Sequence, residues 1–252
     1  MVGRLLVKGM FAGLLAGLVS FGFARATGEP LVTQAIAFEA QCEAAKHASS
    51  NNTHDHDEEI VSRPTQAGLG LLTAVVVFGV SVGGLFALTF AFFNGRVNDV
   101  AAPKLSIRPA LFAFLAFAAI PAVKYPPNPP SIGDPETIGS RTAVYFLFLV
   151  FSVAALIICT GVHGTLKGRL DDWKTNCTTG ALYIVLLVLG LLLFPTVDEV
   201  PSNFPASLLW NFRIASVGLQ LVLWISLGAS FSYLVGRAER GSRSFAGPQL
   251  KA

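Results

Sequence analysis

Leu5-Leu6-Val7-Lys8-Gly9-Met10-Phe11-Ala12-Gly13-Leu14-Leu15-Ala16-Gly17-Leu18-Val19-Ser20-Phe21-Gly22-Phe23-Ala24 is the stretch whose reading decides the fold. Its length matches the roughly 20 apolar residues an α-helix needs to cross a bilayer. Gly9, Gly13 and Gly17 recur at every fourth position, which leaves a bare ridge along one side of that helix. A second apolar run, about 69–93, carries Gly79 and Gly83 at the same spacing, so the two runs predict a close helix pair. Arg4 and Lys8 ahead of the core and Ala24-Arg25-Ala26 behind it also fit a cleavable signal peptide. The glycine ridge and the length of the core favour a retained span.

The rest of the chain extends this reading. With 53% hydrophobic and 13% charged residues among 252, it is far more apolar than a soluble domain. Further apolar runs at about 109–123, 142–163, 179–194 and 208–235 bring the total to six. The expected fold class is an all-α integral membrane protein of about six transmembrane helices. The number becomes five if the first is cleaved, or if the third, short and bounded by Pro109 and Pro121, does not span. Residues 1–252 read as a single polytopic membrane domain, with 25–66 as a polar outer loop. Within that loop 33–45 predict an amphipathic helix with Glu39 and Glu43 on a common side. Residues 94–108 read as a short basic loop, and Lys124-Tyr125-Pro126-Pro127-Asn128-Pro129-Pro130 as a stiff, extended connection.

Charge placement orients the layout. With the amino terminus in the cytoplasm, the inner segments collect most basic residues, from Arg4 and Lys8 to Arg237, Arg240, Arg243 and Lys251. The outer segments keep only Arg25, Lys46, Arg63, Lys124 and Arg141. That is the positive-inside bias, and it places both termini in the cytoplasm. Most acidic residues fall outside, where they raise the local concentration of an approaching cation. The scattered basic residues give no nucleic-acid footprint. No phosphate-binding glycine loop, dinucleotide fingerprint or HExxH helix is present, and no nucleophile and base stand at interpretable spacing, so the chain does not read as an enzyme. Cys42, Cys159 and Cys177 lack CxxC spacing and an even count, and read as structural or incidental.

The polar loop holds Asn51-Asn52-Thr53-His54-Asp55-His56-Asp57-Glu58-Glu59. Imidazole nitrogen and carboxylate oxygen are ligands that cobalt, nickel and zinc accept, so His54, Asp55, His56, Asp57, Glu58 and Glu59 form a candidate cation collector. A solvated acidic loop between two spans would have the same composition. Glu29, Glu39, Asp198 and Glu199, at the outer ends of the spans, are the next candidate contacts. Arg213, inside the sixth run, is expected to pair with Asp198 or Glu199. His163 at the inner end of the fourth reads either as an exit-side metal or proton acceptor or as an interfacial group beside the helix dipole.

Arg25-Ala26-Thr27-Gly28-Glu29-Pro30, the His/acid run, the proline-rich connection with Gly133-Asp134-Pro135-Glu136-Thr137-Ile138, and Asp198-Glu199-Val200-Pro201 leading into Phe204-Pro205-Ala206-Ser207-Leu208-Leu209-Trp210-Asn211-Phe212-Arg213 together resemble the CbtA family of probable cobalt transporter subunits. The resemblance covers nearly the whole chain. It implies a bacterial inner-membrane component for cobalt uptake linked to cobalamin biosynthesis. It also implies a small single-span partner with a histidine-rich tail, CbtB. That family is described with five spans, against six counted here. The expected function is therefore membership of a membrane transporter for divalent transition-metal cations. No resident cofactor is required, because the cation is the cargo. The alternative is a membrane metal sensor or assembly partner that binds metal without carrying it.

Overall fold

The computed structural model describes the backbone of residues 2–49, 61–94 and 102–245, and the side chains of residues 2–45, 61–92 and 107–237. Among the described residues the protein is helical, without a strand. Its helices are α1 (Val2–Phe23), α2 (Glu29–Ser49), the single turn α3 (Arg63–Thr65), α4 (Leu71–Asn94), α5 (Ala102–Phe114), α6 (Ile120–Lys124), α7 (Ile138–Leu166), α8 (Asp172–Leu193) and α9 (Ala206–Phe245). Five-residue π-turns at Ala24–Gly28, Gln66–Gly70 and Leu115–Ala119 join α1 to α2, α3 to α4 and α5 to α6. Six helical segments are thereby long and apolar enough to cross a membrane: Val2–Ala45, Arg63–Phe92, Ile107–Lys124, Pro135–Leu166, Asp172–Leu193 and Ala206–Arg237.

Prolines explain two of the π-turns. Gly28 and Ala119, their last residues, each stand two positions before a proline, Pro30 and Pro121. Proline has no N–H to offer the carbonyl four residues back. In the wider turn Glu29 N–H bonds Ala24 O and Ile120 N–H bonds Leu115 O, five residues apart, and the helix continues through the proline. The segment 94–108, expected as a loop, is already helical from Ala102. Pro103 stands in its first turn, where a missing donor costs nothing, and Pro109 lies inside the helix.

The chain folds as two compact units, Met1–Leu111 with Ile214–Ala252, and Phe112–Arg213. In the first, α1 and α4 run antiparallel along their glycine ridges. A Cβ on Gly13 would collide with the Gly79 carbonyl and lie 3.1 Å from Gly83 Cα. One on Gly17 would lie 2.9 Å from Val76 Cα. The expected close pair thus forms by backbone-to-backbone contact. Phe231 of α9, fully buried, meets Phe86 and Phe90 edge-on at 5.4 and 5.1 Å.

In the second unit α7 is central. Its fully buried Phe148 meets Tyr125 at 5.5 Å and Phe194 at 5.1 Å, both edge-on, and Phe151 lies 5.6 Å from Phe194. Phe151 also covers Gly190 of α8, where a Cβ would clash with the ring.

Candidate functional site

The first π-turn aligns the most deeply buried carboxylate among the described residues. Ser20, Ala24 and Glu29 are all buried, yet five residues separate Ala24 from Glu29. In an unbroken α-helix that step would carry Glu29 about 140° off the face. The π-turn absorbs the extra residue, and Glu29, only 8% exposed, reaches Arg63 with Oε2 2.6 Å from Nη2. Pro64, just inside α3, starts the helix that presents Arg63.

A second acidic site closes one end of the other unit. Glu199 Oε1 accepts from the Thr137 hydroxyl at 2.7 Å, and Oε2 accepts from the Asp134 N–H at 2.8 Å. Arg141 Nε lies 3.2 Å from Oε2. The Thr137 hydroxyl, the Asp134 N–H and the Arg141 guanidinium together hold the Glu199 carboxyl below its usual range. Asp134 also accepts from the Glu136 N–H at 2.9 Å and so starts the helical turn leading into α7. The neighbouring Gly133 has φ +118°, a conformation that suits glycine, and the Arg141 guanidinium fills the space a side chain there would need.

Three further bonds fasten the proline-rich connection. Lys124 Nζ donates to Leu191 O at 2.8 Å, a carbonyl in the last turn of α8 where a cation is favourable. The Tyr125 hydroxyl donates to Pro195 O at 2.7 Å. Arg213 Nη2 donates to Asn128 Oδ1 at 2.9 Å. This last contact corrects the expected pairing of Arg213 with Asp198 or Glu199, because Thr137, Asp134 and Arg141 already take up Glu199.

Of the candidate metal contacts, Glu29 and Glu199 are thus engaged by arginines, Glu39 is half-buried, and Asp198 is exposed. His54, Asp55, His56, Asp57, Glu58 and Glu59 lie outside the described residues. Among the described residues no three His, Cys, Asp or Glu side chains come together as a metal-binding group. Sequence reasoning missed Arg63 and Arg141 as partners, although a signal existed. Of the basic residues that break the charge bias by standing on the expected outer side, Arg63, Lys124 and Arg141 each have a specific acceptor.

Neither the curated proteins nor the solved structures yield a match to this chain. One family model, described as probable cobalt transporter subunit (CbtA), matches residues 2–236. That span takes in Glu29 and Arg63, the Glu199 cluster and nearly all of the six membrane-length helices. The chain is a member of the CbtA family of probable cobalt transporter subunits.

Proposed function

We propose that this multi-pass membrane protein carries divalent transition-metal cations, cobalt foremost, inward across a bacterial inner membrane with both termini cytoplasmic. The family match over 2–236 is the observation that carries the reading, and the six apolar helices support it. In this mechanism His54, Asp55, His56, Asp57, Glu58 and Glu59 capture the hydrated ion outside the membrane, exchanging water for imidazole and carboxylate. Glu39 and Asp198, which stand outside the two arginine pairs, then offer their carboxylates. Glu29 and Glu199 would each have to release a guanidinium before binding the ion, so we assign them a bracing role first. The chain works as one component of the transporter, with a small single-span, histidine-rich protein of the CbtB type as its partner.

Uptake of labelled cobalt by cells with and without this chain and its small partner tests the proposal. Loss of uptake on deleting the chain is the expected result; undiminished uptake refutes it. His54→Ala with His56→Ala should slow uptake at low cobalt concentration and leave the rate at saturating cobalt nearly unchanged. Capture should also weaken as pH falls through about 6.5, because a protonated imidazole cannot ligate.

A further inference from the structure

The turn between α7 and α8 carries side chains that the packing of the second unit does not use. α7 ends at Leu166 and α8 begins at Asp172, so Lys167-Gly168-Arg169-Leu170-Asp171 makes the turn. Its backbone is fully built. The Lys167 N–H bonds His163 O at 3.0 Å, and the Arg169 and Leu170 N–H groups both bond Leu166 O, at 2.9 and 3.1 Å. Gly168 holds φ +86°, a conformation that suits glycine. On the helix side of the turn, His163 Nε2 lies 3.1 Å from Asn176 Oδ1 and ties α7 to α8. The turn therefore presents its side chains from a fixed frame.

Those side chains pair apolar surface with positive charge. Trp173 is 77% exposed and Leu170 40% exposed, so neither belongs to the core. Lys167 and Arg169 are exposed, and their charged groups have no partner among the described residues. Lys174 is taken up by Asp171 at 3.3 Å. Within 167–174 that leaves two unpaired cations against Asp172, which sits in the first turn of α8 where the helix dipole offsets its charge.

Position selects the partner. α7 and α8 are both apolar enough to cross a bilayer, so the turn that joins them stands where hydrocarbon gives way to headgroups. Whatever covers Trp173, in the first turn of α8, has to lie at that level. An indole is at home there, and basic side chains reach from apolar stems to phosphate. The unpaired charge is positive, so the complementary headgroup is negative.

We propose that Lys167, Arg169, Leu170 and Trp173 form a docking surface for an anionic phospholipid. Lys167 and Arg169 meet the phosphate and the charged headgroup, the guanidinium engaging two oxygens at once. Trp173 lies along the glycerol region, and Leu170 covers the first methylenes of an acyl chain. The bound lipid fixes the depth of this end of the second unit in the bilayer.

The test uses the full chain in bilayers of phosphatidylcholine with a minor share of phosphatidylglycerol. Bromine on the acyl chains of one lipid or the other quenches tryptophan on contact, and the difference between wild type and Trp173→Phe isolates the Trp173 signal. At equal brominated share and otherwise identical composition, brominated phosphatidylglycerol should quench Trp173 at least about twofold more than brominated phosphatidylcholine, since each cation favours an anionic surface by about fivefold. Added salt should reduce that preference. Lys167→Gln with Arg169→Gln should make the two lipids equal while elution and melting temperature stay unchanged, because both side chains are exposed and unpaired. Equal quenching in the wild type, or a preference that survives the double substitution, overturns the proposal. So does a preference abolished by inorganic phosphate at constant ionic strength, which would assign the two cations to a dissolved anion.

Discussion

Glu199 is held by three donors from one short segment, and its protonation therefore reports on the fold around it. Because those donors lower its pKa, its stabilising contribution is complete above the ordinary carboxylate range and is lost as pH falls through the lowered value. Glu199→Gln should reduce the melting temperature at pH 7, and its difference from wild type should close only as pH falls through the lowered value of the Glu199 carboxyl. Glu29 poses a sharper case. Arg63→Met strands a carboxylate that is 8% exposed, and removing one partner of a buried pair costs about 3–5 kcal/mol. The Arg63 side chain is 29% exposed, which places the expected loss at the lower end of that range. Glu29→Met with Arg63→Met should recover most of it, read by thermal unfolding of the four proteins of the cycle. If Glu29 is a brace, the double variant also transports cobalt. The carboxylates were legible in the sequence as an outer acidic set. Their arginines were not assigned, because ion pairs such as Glu29 with Arg63 join positions far apart in the chain, and only helix pairing brings them level.

At the scale of helices, the glycine ridges were legible and the prolines misled. Every fourth-residue glycine in α1 and α4 meets backbone, as small-residue spacing in an apolar run implies. Gly13→Ala should destabilise the protein by about 1–3 kcal/mol, the usual cost of overpacking. Gly22→Ala, where nothing lies within 4 Å of a new Cβ, should be neutral or slightly stabilising. Equal effects in thermal unfolding would contradict the close pairing. Pro109 and Pro121 read as helix ends, since a proline in mid-helix removes a bond and clashes with the preceding turn. A π-turn is the local solution, and hydrophobic periodicity does not announce it. Its signature in this chain is a proline two residues beyond an apolar turn, at Pro30 and again at Pro121.

At the scale of the molecule, hydropathy and composition gave the helical membrane class, while the division into two units left no trace in the sequence. No repeat marks it, and its boundaries at Leu111 and Arg213 fall in helical runs, with no polar linker there. The proposed orientation can be checked directly in the chain with Cys42, Cys159 and Cys177 replaced by serine. A cysteine at Ser131 should react with a membrane-impermeant maleimide added to intact cells, and one at Gly168 should react only after the cells are opened. The reverse pattern would invert the topology. The contact of α1 with α4 also bears on what the membrane keeps out. Where Gly13 and Gly79 meet, the two backbones leave no gap and present no side-chain nitrogen, oxygen or sulfur. Between Gly13 and Gly79 that seam has no room for a hydrated ion, so an ion that crosses the membrane has to pass somewhere other than between these two glycines.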